Sequence, residues 1–188
     1  TGVDYTEDKN FDSLNYGFIM ILTDQDVDGN HIASLIMNFV HSLFPSILKR
    51  KEPFIRIMNT PLIRVFLKND TLSFYSQDQY KNYCKTHNTS NARVKYYKGL
   101  GTSNDKEIKE SFGKRIANLE YDKTTDETMN NLFLSKNSDY RKEWLETYDP
   151  NEEEYSANEN IYTRPISNYL NKELIKFSID DCKRSIPN

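Results

Sequence analysis

The string Asp24-Gln25-Asp26-Val27-Asp28-Gly29-Asn30-His31 puts three carboxylates at alternate positions directly after the apolar run from Tyr16 to Leu22. In an extended segment, alternate side chains project side by side at the carboxyl end of a strand, where open α/β sheets place their sites. No Lys or Arg lies between Asp12 and Lys49. Compensation must therefore come from a distant part of the fold or from a bound cation. An all-oxygen donor set favours a hard metal such as Mg²⁺, which keeps several waters and takes further ligands from phosphate oxygens. The loop thus predicts phosphodiester or phosphoryl substrates.

Other readings of the same residues compete with this one. Asp28 could simply cap the following helix, although a cap accounts for one carboxylate and leaves two. A calcium loop also begins D-x-D-x-D-G, but its last position needs a bidentate Glu, and Leu35 stands there. In an aspartyl-phosphate phosphatase Asp26 would attack phosphorus and Asp28 would be the general acid. Asn30 then stands where a hydroxyl residue is usual, and no second acidic strand end is evident.

These residues need elements to position them. The run from Tyr16 to Leu22 does not alternate, as expected for a strand buried on both faces. After Gly29, Ile32, Leu35, Ile36, Phe39, Val40 and Leu43 form a helical stripe closed by Pro45, completing a strand, acidic loop and helix. Strands are expected from Phe54 to Asn59 and from Leu62 to Leu67, the latter turning through Lys68-Asn69-Asp70 into a strand from Thr71 to Tyr75. A short helix follows from Gln77 to Lys85, then a strand from Arg93 to Tyr97. Asn104 and Glu107 have the spacing of a capping box for a helix through Phe112. The remainder reads as helices: Thr125 to Leu134, Asp139 to Thr147 with Tyr140, Trp144 and Tyr148 on one stripe, and Pro165 to Phe177 with Ile166, Tyr169, Leu170, Leu174 and Phe177 inward. Trp144, the single Trp, reads as core.

Composition sets the limits. The chain has 188 residues, 37% hydrophobic and 13% aromatic, enough to bury a core despite a mean hydropathy of -0.79. Its formal charge of -3 does not suggest nucleic acid by bulk charge alone. Cys84 and Cys182 lack metal-ligand spacing and suggest a reducing compartment. No apolar run approaches the ~20 residues of a membrane helix, so no membrane partner is expected. Acids dominate from Asp139 to Asn160, with Asp149-Pro150-Asn151-Glu152-Glu153-Glu154 as the densest run. That shift predicts a linker between folding units.

The acidic string resembles the DxDxD end of the Toprim domain of type IIA DNA topoisomerases. Lys95-Tyr96-Tyr97-Lys98-Gly99-Leu100-Gly101-Thr102-Ser103, Asp139-Tyr140-Arg141-Lys142-Glu143-Trp144-Leu145, Asn171-Lys172-Glu173-Leu174-Ile175 with Phe177-Ser178, and Arg184-Ser185-Ile186-Pro187 match the same family in the same order. Gln25, the double Tyr before Lys98, Thr102-Ser103 and Arg141-Lys142-Glu143-Trp144-Leu145 are closer to its eukaryotic topoisomerase II branch than to bacterial gyrase. The resemblance covers about Tyr16 to Pro187.

The resemblance implies an α/β Toprim fold, Rossmann-like, with a mainly parallel sheet and flanking helices, followed by a helical segment leading into a winged-helix domain. It divides the chain into a polar lead-in (1–15), the carboxyl-terminal part of the Toprim domain (16–148), an acidic linker (149–162) and the start of the breakage-reunion domain (163–188). It implies Mg²⁺ at Asp24 and Asp26, with Asp28 a close third, and His31 in possible support. The family's earlier metal-binding Glu has no match here, and Glu7 does not replace it. DNA-backbone contacts are implied for Lys98, Gly99, Gly101, Arg141 and Lys142. The family's nucleophilic Tyr is expected beyond Pro187, so this piece alone should not relax DNA. The complete protein is expected to be a homodimer that uses ATP at a separate domain and acts on double-stranded DNA. Its location would be the nucleus for a cellular eukaryotic source, or a host cell or virion for a viral one. A non-catalytic DNA-binding module of the same fold is the remaining alternative.

Overall fold

The computed structural model describes residues 2–68, 70–89, 92–97, 103–152 and 159–186. Its main layer is a four-stranded sheet ordered β1-β2-β6-β7, from β1 (Ile19–Ile21), β2 (Ile55–Met58), β6 (Ile116–Glu120) and β7 (Ile161–Pro165). β1 pairs parallel with β2, β2 antiparallel with β6, and β6 parallel with β7. The fold is therefore mixed α/β, with parallel pairs and flanking helices. The crossover from β1 to β2 runs through α2 (Val27–Leu43), so the acidic string is the turn of a βαβ unit.

A second sheet, ordered β4-β3-β5, is antiparallel: β3 (Ile63–Phe66) pairs with β4 (Thr71–Phe74) and with β5 (Arg93–Tyr96). The expected hairpin is present, with Leu67 N–H donating to the Asp70 carbonyl across a turn whose Asn69 lies outside the described residues. The capping box is also present: Asn104 Oδ1 accepts from Glu107 N–H at 2.9 Å and Glu107 Oε2 accepts from Asn104 N–H at 2.9 Å, opening α5 (Asp105–Ser111). Short helices α1 (Asp8–Phe11) and α3 (Pro45–Leu48), then α4 (Gln77–Thr86), α6 (Thr125–Phe133) and α7 (Ser138–Glu146), complete the set before β7. After β7 a single helical rod runs through α8 (Ile166–Tyr169), a π-helical segment (Leu170–Leu174) and α9 (Ile175–Arg184).

Three expectations need correction. The acidic run does not separate two folding units: Ile161–Pro165 is a strand of the main sheet, and Ile166, Leu170 and Leu174 share one core with Met37 on α2 and Leu119 on β6. Among the described residues of the run, Asp149, Pro150, Asn151 and Glu152 are exposed. Second, the strand after Tyr16 is shorter than expected and lies at the sheet edge, with Tyr16, Phe18 and Leu22 exposed. Third, α2 buries Ala33, Met37 and Val40, while Ile32, Leu35, Phe39 and Leu43 of the apolar stripe are exposed, Phe39 to 58%. A helix apolar on two faces accommodates either choice, and the buried side is the one packed against α3, α6 and the rod after β7.

Candidate metal loop and DNA-facing surface

The acidic loop leaves the carboxyl end of β1 and turns directly into α2. Asp26, and not Asp28, is the cap: its backbone is extended and its Oδ1 accepts from Gly29 N–H at 2.8 Å. The turn is tight because Gly29 is buried against the strand end. A Cβ there would fall on the Asp24 carbonyl oxygen and stand 3.1 Å from Thr23 Oγ1. Glycine is required at this position by closeness, not by its dihedral angles.

Asp24, Asp26 and Asp28 are all exposed. The counter-charge missing from the local sequence arrives from the far end of the chain. Arg184 Nη1 donates to Asp28 Oδ1 at 3.0 Å and Nη2 to Oδ2 at 3.2 Å, a forked ion pair spanning 156 residues. Asp180, one turn earlier on α9, pairs with the same guanidinium, and the two carboxylates hold Arg184 protonated well above its ordinary range. Arg184 stood in a recognised motif, but only the absence of nearby bases hinted that it serves this loop.

The donor chemistry fits Mg²⁺. Hard carboxylate oxygens lie at a strand end open to solvent, where one or two ligands suffice and water or phosphate oxygens complete the shell. Among the described residues, no three His, Cys, Asp or Glu side chains converge as a closed metal cage. His31 is half-buried and stacks on Phe177, ring centroids 3.8 Å apart and planes 15° from parallel. That contact fixes the first turn of α2 to α9.

Behind the loop lies a polar cavity of about 110 Å³, lined by Gln25, Asn30, Arg115, Arg164, Tyr169 and Glu173 among others. Arg164 is 4% exposed, bonds Asn168 Oδ1 at 2.8 Å and pairs with Glu173 Oε1 at 2.9 Å. Burial opposes the Glu173 charge, but Arg164 and Lys176 outweigh it and keep the carboxyl below its ordinary range. Sequence reasoning missed these groups because they pair across the turn from β7 into the rod, and β7 was not expected as a strand.

Of the residues implied to face DNA, Lys98, Gly99 and Gly101 lie outside the described residues. Glu107 joins the described residues on either side of them. Glu107 accepts from Lys95 Nζ at 2.9 Å and from the Tyr97 hydroxyl at 2.6 Å, besides closing the capping box. Arg141 and Lys142 sit on α7, away from the acidic loop in sequence. Arg141 donates to the Leu134 carbonyl at 2.7 Å and Lys142 pairs with Asp139 at 2.8 Å. Trp144 on the same helix is core, as expected, 7% exposed and donating to Asn171 Oδ1 at 3.0 Å.

The geometry is that of a strand-end acidic loop leading a βαβ unit. Residues 58–182 match the family described as the C-terminal associated domain of TOPRIM, and the chain belongs to that family. It is also similar over nearly its whole length to type II DNA topoisomerases. It is 38% identical to DNA topoisomerase 2 of Invertebrate iridescent virus 6 over 100% of this chain, and 36% identical to rat DNA topoisomerase 2-alpha over 98%. Those stretches make up 18% and 13% of the two relatives. Among solved structures, the Plasmodium falciparum topoisomerase II DNA-binding, cleavage and re-ligation domain superposes with a TM-score of 0.85 at 33% identity. That match covers 94% of this chain and 24% of the other. The resemblance expected from separated motifs therefore extends to the fold.

Proposed function

We propose that this chain supplies the metal-binding acidic loop and part of the DNA-facing surface of an ATP-dependent type II DNA topoisomerase. In that reading the whole protein acts as a homodimer, opens one DNA duplex transiently and passes a second through it. The observation that carries the proposal is the capped, glycine-backed turn that presents exposed Asp24 and Asp26 in a chain similar throughout to topoisomerase II.

Bound Mg²⁺ would supply positive charge beside a DNA phosphate. Asp24 and Asp26 would hold it, with Asp28 as the adjacent third carboxylate. Asp26 also keeps α2 starting at the right residue, so the loop and helix stay in fixed relation. Lys98, Gly99 and Gly101 are assigned to the DNA backbone, the glycines allowing close approach to phosphate. Arg141 and Lys142 would add salt-dependent affinity without reading bases. The covalent step belongs to a Tyr outside this chain.

Aspartyl-phosphate chemistry is less well supported, because it would use as a general acid the carboxylate already held by Arg184. The test is plasmid relaxation and cleavage by the full-length protein with Mg²⁺ and ATP, comparing wild type with Asp26→Asn. Asn caps helices as well as Asp, so this substitution removes charge while keeping the turn. Loss of cleavage and relaxation with Mg²⁺-free DNA binding retained is expected. Unchanged activity would remove the loop from the chemistry.

A further inference from the structure

The helical rod after β7 touches the acidic loop's helix at more than one point. Tyr169 donates to Asn30 Oδ1 at 3.0 Å, Phe177 stacks on His31, and Arg184 forks onto Asp28. Three residues near the start of α2, Asp28, Asn30 and His31, thus meet one rod at points about two turns apart. The last of these contacts differs from the others because it places a permanent cation among carboxylates that would otherwise compete for a metal.

We propose that Arg184 is a positioning residue for the acidic loop: its guanidinium occupies Asp28 as an internal counter-cation and confines the divalent metal to Asp24 and Asp26. The inference rests on the loop being the Mg²⁺ site. Both Asp28 oxygens accept from one planar fork, so a metal could use Asp28 only by displacing two charge-assisted hydrogen bonds. The guanidinium also repels a second cation near Asp28. Asp180 shares the Nη2 nitrogen with Asp28, a second carboxylate that holds the guanidinium in place. Both partners are about half exposed, so the pair adds little to stability. Its effect lies in allotting the carboxylates.

The test is nucleotide-free Mg²⁺ and Mn²⁺ binding to the full-length protein, by titration calorimetry and Mn²⁺ electron paramagnetic resonance, with thermal melts as a folding control. Asp26→Asn should abolish the loop's binding. Asp28→Asn should change affinity less than about twofold, because Asp28 is not a ligand. Arg184→Gln should tighten binding on the order of three- to tenfold by releasing Asp28 and removing a nearby cation. Adding Asp28→Asn to Arg184→Gln should undo most of that gain. Arg184→Lys should fall between, since Lys keeps the charge but loses the fork. Weakening by Asp28→Asn as severe as by Asp26→Asn would overturn the inference, as would unchanged or weaker binding in Arg184→Gln. Binding insensitive to Asp26→Asn would instead overturn the underlying reading of the loop, and the inference with it.

Discussion

The Tyr169 hydroxyl donates to Asn30 Oδ1 at 3.0 Å, joining residues 139 positions apart. Through that bond the first turn of α2, which carries the acidic loop, is held to the helix that follows β7. Burial and the Glu173 carboxylate both push the Tyr169 hydroxyl above its ordinary range, so it remains a proton donor wherever the protein is folded.

Tyr169→Phe should therefore cost about 1–2 kcal/mol, the loss of one buried hydrogen bond with an acceptor left behind. Urea denaturation measures it. A double change with Asn30→Ala should be markedly less than additive, because both substitutions remove the same contact.

Gly29→Ala tests the closeness of the loop. The added methyl must displace the Asp24 carbonyl, which is backbone and cannot swing aside. A loss of roughly 1–3 kcal/mol is expected, together with weakened divalent binding, since Asp24 shifts with its own carbonyl. Full stability would show that the turn is looser than described.

Glu107 gives a prediction with a pH sign. Burial works against its charge, but hydrogen bonds from Tyr97, Lys95 and Asn104 outweigh burial and bring its carboxyl down to about 2. A carboxylate depressed in the folded state stabilises fully above its ordinary value of 4.5 and loses that contribution as pH falls toward about 2. Glu107→Gln should cost about 1–2 kcal/mol at neutral pH. The gap from wild type should shrink as denaturation is repeated at successively lower pH below the ordinary Glu value. A gap that stayed constant would show that the charge is not what matters.

Trp144 offers an optical readout, being the single Trp in the chain. Its indole N–H bonds Asn171 within the π-helical segment, so its fluorescence reports on the start of the rod that reaches Asp28. Emission should be blue-shifted in the native state and shift red on unfolding. Asn171→Leu should cost about 1–2 kcal/mol by orphaning the indole N–H. An unchanged denaturation midpoint would place the indole's partner elsewhere.

Local signals carried the sequence reading where the physics is local. The Asn104–Glu107 capping box, the β3–β4 hairpin and the helix starting after Pro165 each depend on residues a few positions apart. β6 and β7 were not legible: they are five residues each, β7 includes Arg164 and Pro165, and both gain their stability from parallel or distant pairing. The same limit applied to the site. Asp24, Asp26 and Asp28 stood out by spacing, whereas Arg184, Asn30 and Tyr169 acquire roles only when the ends of the chain meet. The apolar stripe of α2 shows the converse case, in which periodicity identified the helix but not which side it would bury.

The π-helical segment Leu170–Leu174 sets the phase of everything beyond it. An α-helix turns about 100° per residue, and a widened turn absorbs one extra residue without that rotation. Were the same sequence wound as a regular helix throughout, Phe177 and Arg184 would swing roughly a quarter turn about the rod, away from His31 and Asp28. The widened turn is thus the tuning point of the rod, and a shift in its winding would release His31 and Asp28 together.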